Sequence, residues 1–131
     1  MDFFRNLFKP GWMSDDYRKA QNAFRSVKKR NSSAELIHVA LTCPHTGLRA
    51  EAVNLLEEQN TLHTVALNDP SEAPRLNAVQ RIEDLNFLAD IAENTSIRSS
   101  VRMAALDRIT DTTILLRLLL RLDPTCYDFP F

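Results

Sequence analysis

Four side chains in this sequence could hold a soft or borderline metal ion: His38, Cys43, His45 and His63, two of them within Cys43-Pro44-His45. A structural zinc needs four convergent ligands, usually contributed as closely spaced pairs. Only one such pair is present, and it falls in a connecting segment, while His38 falls on the polar side of a helix; no metal is expected. The adjacent carboxylates Asp15–Asp16 and Glu57–Glu58 suggest acid–base work, but neighbours on a helix point about 100° apart. They read as solvated. The sequence has no nucleophile elbow, phosphate loop, HExxH or glycine-rich fingerprint, and its two glycines offer little for a backbone cradle. Neither catalysis nor a cofactor is expected.

Three arginines, Arg49, Arg75 and Arg102, recur 26 and 27 residues apart. Such a ladder could face phosphate or carboxylate. A guanidinium at one fixed place in every unit is better explained by bonds to an acidic residue or to helix-end carbonyls of an adjacent unit, setting the register between units. Glu58, Asp84 and Asp111 recur in the same way and read as caps.

The elements that carry these residues repeat as well. Arg49, Ala52, Val53 and Leu56 align with Arg75, Ala78, Val79 and Ile82, then with Arg102, Ala105, Leu106 and Ile109. A second segment follows in phase: Leu62, Val65 and Ala66, then Leu88, Ile91 and Ala92, then Leu115, Leu118 and Leu119. A weaker first copy has Ala23, Phe24 and Val27, then Leu36, Val39 and Ala40, with three extra residues in "KKRNSS" that would lengthen the loop between its helices. Apolar positions at i, i+1, i+4 and i, i+3, i+4 are helical spacing. Each of the four units is therefore a helix pair. Ser32 or Ser33, Asp84 and Asp111 stand where second helices need N-caps, and Ser14, Thr46 and Ser71 where first helices do.

One unit buries about six core side chains at roughly 1.5–3 kcal/mol each, against about 1.5 kcal/mol for every residue ordered. It does not fold alone; stacking on neighbours supplies the rest.

Composition sets further bounds. Sixteen Lys and Arg against seventeen Asp and Glu give a net charge of -1, so nucleic acid has no global attraction to exploit. The one concentrated basic run, "RSVKKRN" at 25–31, lacks interleaved aromatics and reads as a solvated loop. Cys43 and Cys126, far apart and without CxxC spacing, read as free thiols of a reducing compartment, with the cytoplasm as the default. Neither "MDFFRNLFKPGW" nor "ILLRLLLRL" is long or apolar enough to span a membrane.

The pattern "VRxxALxRITDxxxLxxL" at Val101 to Leu118 and its relative "RLNAVQRIEDLNFLADIA" resemble the short HEAT-like repeats of bacterial proteins, and the opening "LFKPGWMSDDYRKA" is similar to how some such chains begin. The resemblance covers roughly residues 15 to 120. It implies an all-α, right-handed α-α superhelix of about four two-helix repeats over residues 15–122, with a capping segment at 1–14 and a tail at 123–131 packing on or near the last repeat. That architecture hosts scaffolds, adaptors, alkylpurine DNA glycosylases and lyase-associated modules, so it leaves function open. In such solenoids second helices tend to line the concave face. The outward columns there are His38, Thr64, Asp90 and Arg117, and beside them Ile37, His63, Ala89 and Leu116.

This mixed strip fits another protein better than nucleic acid. The expectation is a non-catalytic adaptor or scaffold, with a nucleic-acid-binding repeat protein or an accessory subunit of an enzyme complex as alternatives. The apolar "ILLRLLLRL" needs a cover. Tyr127, Phe129 and Phe131 of the tail could supply it, with a homodimer through that end, a longer partner or a membrane surface as the other solutions, the last disfavoured because the aromatic cluster lacks the basic face of a membrane anchor. Phe3, Phe4, Leu7, Phe8 and Trp12 fit a segment closing the first unit.

Overall fold

The computed structural model describes residues 9–121. All regular structure among them is helical: a 3-10 turn at Gly11–Met13, then α1 (Tyr17–Arg30), α2 (Ser33–Thr42), α3 (Thr46–Val53), α4 (Gln59–Asn68), α5 (Glu72–Arg81), α6 (Leu85–Glu93), α7 (Ser99–Arg108) and α8 (Thr112–Arg121). The odd helices are the first segments of the four sequence units and the even helices the second. None of the described helices is long and apolar enough to cross a membrane.

Second helices start where side-chain oxygens replace the partners that first-turn N–H groups lack. Ser32 accepts from the Glu35 amide, Glu58 from Asn60 and Thr61, and Asp84 from Asn86 and Phe87. Asp111 accepts from Thr113 and Ile114. First helices depart from expectation. Asp16, not Ser14, caps α1, and Thr46 lies inside α3 behind an uncapping His45. Ser71 stands at the N-cap of α5 but makes no capping bond, because its hydroxyl is engaged by Arg49 and Thr46.

The extra residues of the first unit lengthen its helix rather than its loop. α1 runs 14 residues, and only Asn31 and Ser32 separate it from α2. Lys28, Lys29 and Arg30 in its last turn oppose the negative end of the helix dipole. Asn31 then turns left-handed, φ 49° and ψ 37°, its N–H reaching the Val27 and Lys28 carbonyls. Asparagine tolerates that geometry better than most residues.

The closest approaches run between units. α2 packs on α3, α4 on α5 and α6 on α7, while α3 packs on α5 and α5 on α7; α2, α4, α6 and α8 touch in succession, less closely. Small side chains permit this. Ala52, Ala78 and Ala105 in first helices, and Ala40, Ala66 and Ala92 in second helices, are all buried. Phe24, Leu36, Leu56, Leu62, Ile82, Leu88 and Ile91 fill the space between with nearly no exposure. The core therefore follows the repeating apolar positions, with Ala23, Leu106 and Leu115 half-buried against it and one position corrected. Leu119, expected inside, is 61% exposed, because no described element follows α8 to cover its far side.

At the other end Trp12 is 5% exposed. Its carbonyl accepts from the Cys43 thiol at 3.3 Å, and His45 Nε2 meets the Ser14 carbonyl at 2.9 Å. The Gly11–Met13 turn packs on α1 and α2. Phe3, Phe4, Leu7 and Phe8, like the tail aromatics, lie outside the described residues.

Candidate functional site

The recurrent arginines make the same contact three times. Arg49 donates to the Cys43 carbonyl at 2.8 Å, Arg75 to the Asp69 carbonyl, and Arg102 to the Ala92 carbonyl at 3.2 Å. In each case a first helix bonds the C-terminal end of the second helix before it, where carbonyls lack helical partners. Arg49 does more. Its Nε and Nη2 fork onto the Asp69 carboxylate at 3.0 and 3.2 Å, with 8% and 4% of the two side chains exposed. The ladder is structural, as the repeat predicts.

A second ladder escaped the sequence reading. Arg81 donates to the Leu56 carbonyl at 2.7 Å, and Arg108 to the carbonyls of Val79 and Ile82. Leu56 and Ile82 occupy the same place in successive units, and the 27-residue spacing of Arg81 and Arg108 was the available signal. Gln59 seals this edge. Its amide donates to the Glu57 carbonyl at 3.0 Å, and its carbonyl oxygen accepts from the Glu83 and Asp84 amides.

On the even helices, the two expected columns separate into members that meet and members that do not. His63 Nε2 lies 2.8 Å from Asp90 Oδ2, joining α4 to α6, and the His63 ring stacks on Phe87 at 4.3 Å and 6°. His38 is exposed, its ring edge toward Trp12 at 6.2 Å. Thr64 is exposed and turns its hydroxyl back to the Asn60 carbonyl. Leu116 and Arg117 lie exposed on α8. Two residues differ from their expected outward positions. Ile37 is half-buried against the core, and Ala89 is only 3% exposed, its methyl too short to emerge between packed helices.

Between α2 and α4 this face holds a cleft of about 310 Å³, with the Arg49–Asp69 pair in its wall and Leu41, Val65 and Pro70 giving it apolar character. Leu41 is 47% exposed at its rim. Phe87 could not be singled out beforehand, since it does not recur in type at its unit position, and Leu41, recurring as Leu67 and Leu120, reads as one more apolar position of the repeat. Two titrating groups of these helices and their connections are shifted from their ordinary values. Burial pushes the Cys43 thiol up, against the lowering effect of its hydrogen bond with the His45 backbone and of the Arg49 charge, which disfavours the nucleophilic thiolate. Glu58 is held below the ordinary carboxylate value, first by the Thr61 hydroxyl and then by the first-turn amides. Among the described residues no three His, Cys, Asp or Glu side chains converge as a metal site would require. In comparisons with known proteins, no family model, curated protein or solved structure matches this chain.

Proposed function

We propose that the chain is a HEAT-like solenoid of four helix pairs that works as a non-catalytic adaptor, holding another protein against the face formed by its even-numbered helices. The in-phase contacts of α3 on α5 and α5 on α7, and of second helix on second from α2 to α8, support the solenoid. The observation that carries the binding reading is the character of the second-helix face: an apolar cleft rimmed by Leu41, then Thr64, the His63–Asp90–Phe87 cluster and Leu116, with few charges. Apolar surface interleaved with a few oriented polar groups is what protein interfaces use. Because His63 and Phe87 are already stacked, little ordering would be lost on binding.

Affinity capture from the native cell with the wild-type chain, repeated with Asp90→Arg, tests this. Asp90 is exposed, so the variant keeps its fold, checked by circular dichroism, while reversing charge at the centre of the face. One specific protein retained by the wild type and lost by the variant supports the reading. Recovery of nucleic acid in its place, or of the same protein by both chains, rejects it.

A further inference from the structure

We propose that the outward face of α1 is an electrostatic docking surface for an anionic lipid bilayer, independent of what the second-helix face binds. α1 contains Arg18, Lys19, Arg25, Lys28, Lys29 and Arg30 and no acidic residue. Its core face is Ala20, Phe24 and Val27. The spacing of Arg18, Asn22, Arg25 and Lys29 puts these four on the opposite side, in a line about 16 Å long at 1.5 Å per residue. All four are exposed, as is Lys19 beside them.

Two of the six cations are neutralised within the fold: Lys28 by Glu51 and Arg30 by Glu35, each at 2.5 Å. The side chains of Arg18, Lys19, Arg25 and Lys29 have no partner among the described residues. The acids nearest in sequence are Asp15 and Asp16, and the Asp16 carboxylate is occupied capping α1. The rest of the chain carries ten basic against seventeen acidic residues. Positive charge is therefore concentrated on α1 while the rest of the chain is net negative, and a negative plane favours α1 over the remainder.

Two features select a bilayer over other polyanions. The basic line is a single straight ridge without aromatics for base stacking; Tyr17, at its start, packs its ring edge-on to His45 at 5.3 Å. A nucleic acid running beyond α1 would meet net negative charge, whereas a plane need touch only α1. A cluster of basic residues along one face of an amphipathic helix is drawn to the negative surface of an anionic bilayer.

The test is co-sedimentation of the full chain with vesicles of phosphatidylcholine, alone or mixed with phosphatidylserine, at near-physiological salt. The wild type should bind only the mixed vesicles and be released by high salt. The triple variant Arg18→Glu, Arg25→Glu, Lys29→Glu, with unchanged helicity, should bind them roughly 100-fold more weakly, on the scale of the attraction per basic residue. Equal binding by the variant, binding that survives high salt, or no wild-type binding to mixed vesicles would each overturn the proposal. Wild-type binding to duplex DNA or to polyglutamate with the mixed vesicles unbound would overturn it in favour of nucleic acid or an acidic protein.

Discussion

At the scale of single residues, the Arg49–Asp69 fork dominates, because removing one member leaves a desolvated charge. Arg49→Ala should cost about 3–5 kcal/mol, whereas Arg102→Ala, which loses one half-buried bond, should cost about 1–2 kcal/mol; urea denaturation distinguishes them. The two glycines should respond in opposite directions. A Cβ on Gly11 would stand 2.8 Å from the Ala23 Cβ, while one on Gly47, inside α3, meets nothing within 4 Å. Gly11→Ala should destabilise by about 1–3 kcal/mol and Gly47→Ala should stabilise by about 0.5–1 kcal/mol, both read from thermal or urea midpoints. Glu58, with its lowered folded value, contributes fully above the ordinary glutamate value of about 4.3 and loses its contribution as pH falls through the folded value. Glu58→Gln should therefore lose stability less steeply on acidification, measured as urea midpoints across pH 2–6. The arginine column was legible because its position recurs in sequence. Its buried partner was not, since Asp69 has no counterpart in type in the other units and only folding brings it beneath Arg49.

At the scale of elements, helix identity was legible throughout, because 3.6-residue periodicity and recurring caps agree for every second helix. First-helix starts were not. Ser71 looks like a cap, and only the structure shows its hydroxyl committed to Arg49. The end of α1 was missed for a related reason: a run of charges reads as loop, yet cations favour a helix C-terminus, and the left-handed Asn31 stops the helix one turn later. Alanine columns set how closely units approach. Ala78, fully buried where α5 packs between α3 and α7, should not accept bulk: Ala78→Leu should cost about 1–3 kcal/mol, whereas leucine at exposed Ala73 on the same helix should change the urea midpoint little.

At the scale of the whole molecule, the ends differ from the middle. α5 has helices on either side, whereas the described contacts of α8 are chiefly with α6, and Leu116, Leu119 and Leu120 are 55%, 61% and 85% exposed. Hydrogen exchange by mass spectrometry should accordingly find amides of α8 exchanging well before those of α5; equal protection would mean that α8 is held by contacts beyond the described residues. Of the candidate face, the columns were readable from phase alone. Burial of Ala89 and the meeting of His63 with Phe87 were not, because they depend on the distance between helices rather than on position within one.

The arginine ladder has a direction: in α3, α5 and α7 an arginine reaches back to the carbonyls of the helix before it, and Arg49 alone of the three also takes a carboxylate still to come, that of Asp69. A new module copied in tandem would arrive already carrying its own latch. An in-frame duplication of 26 or 27 codons could thus lengthen the array without any compensating change elsewhere, and the length of this architecture becomes something evolution can adjust in single steps.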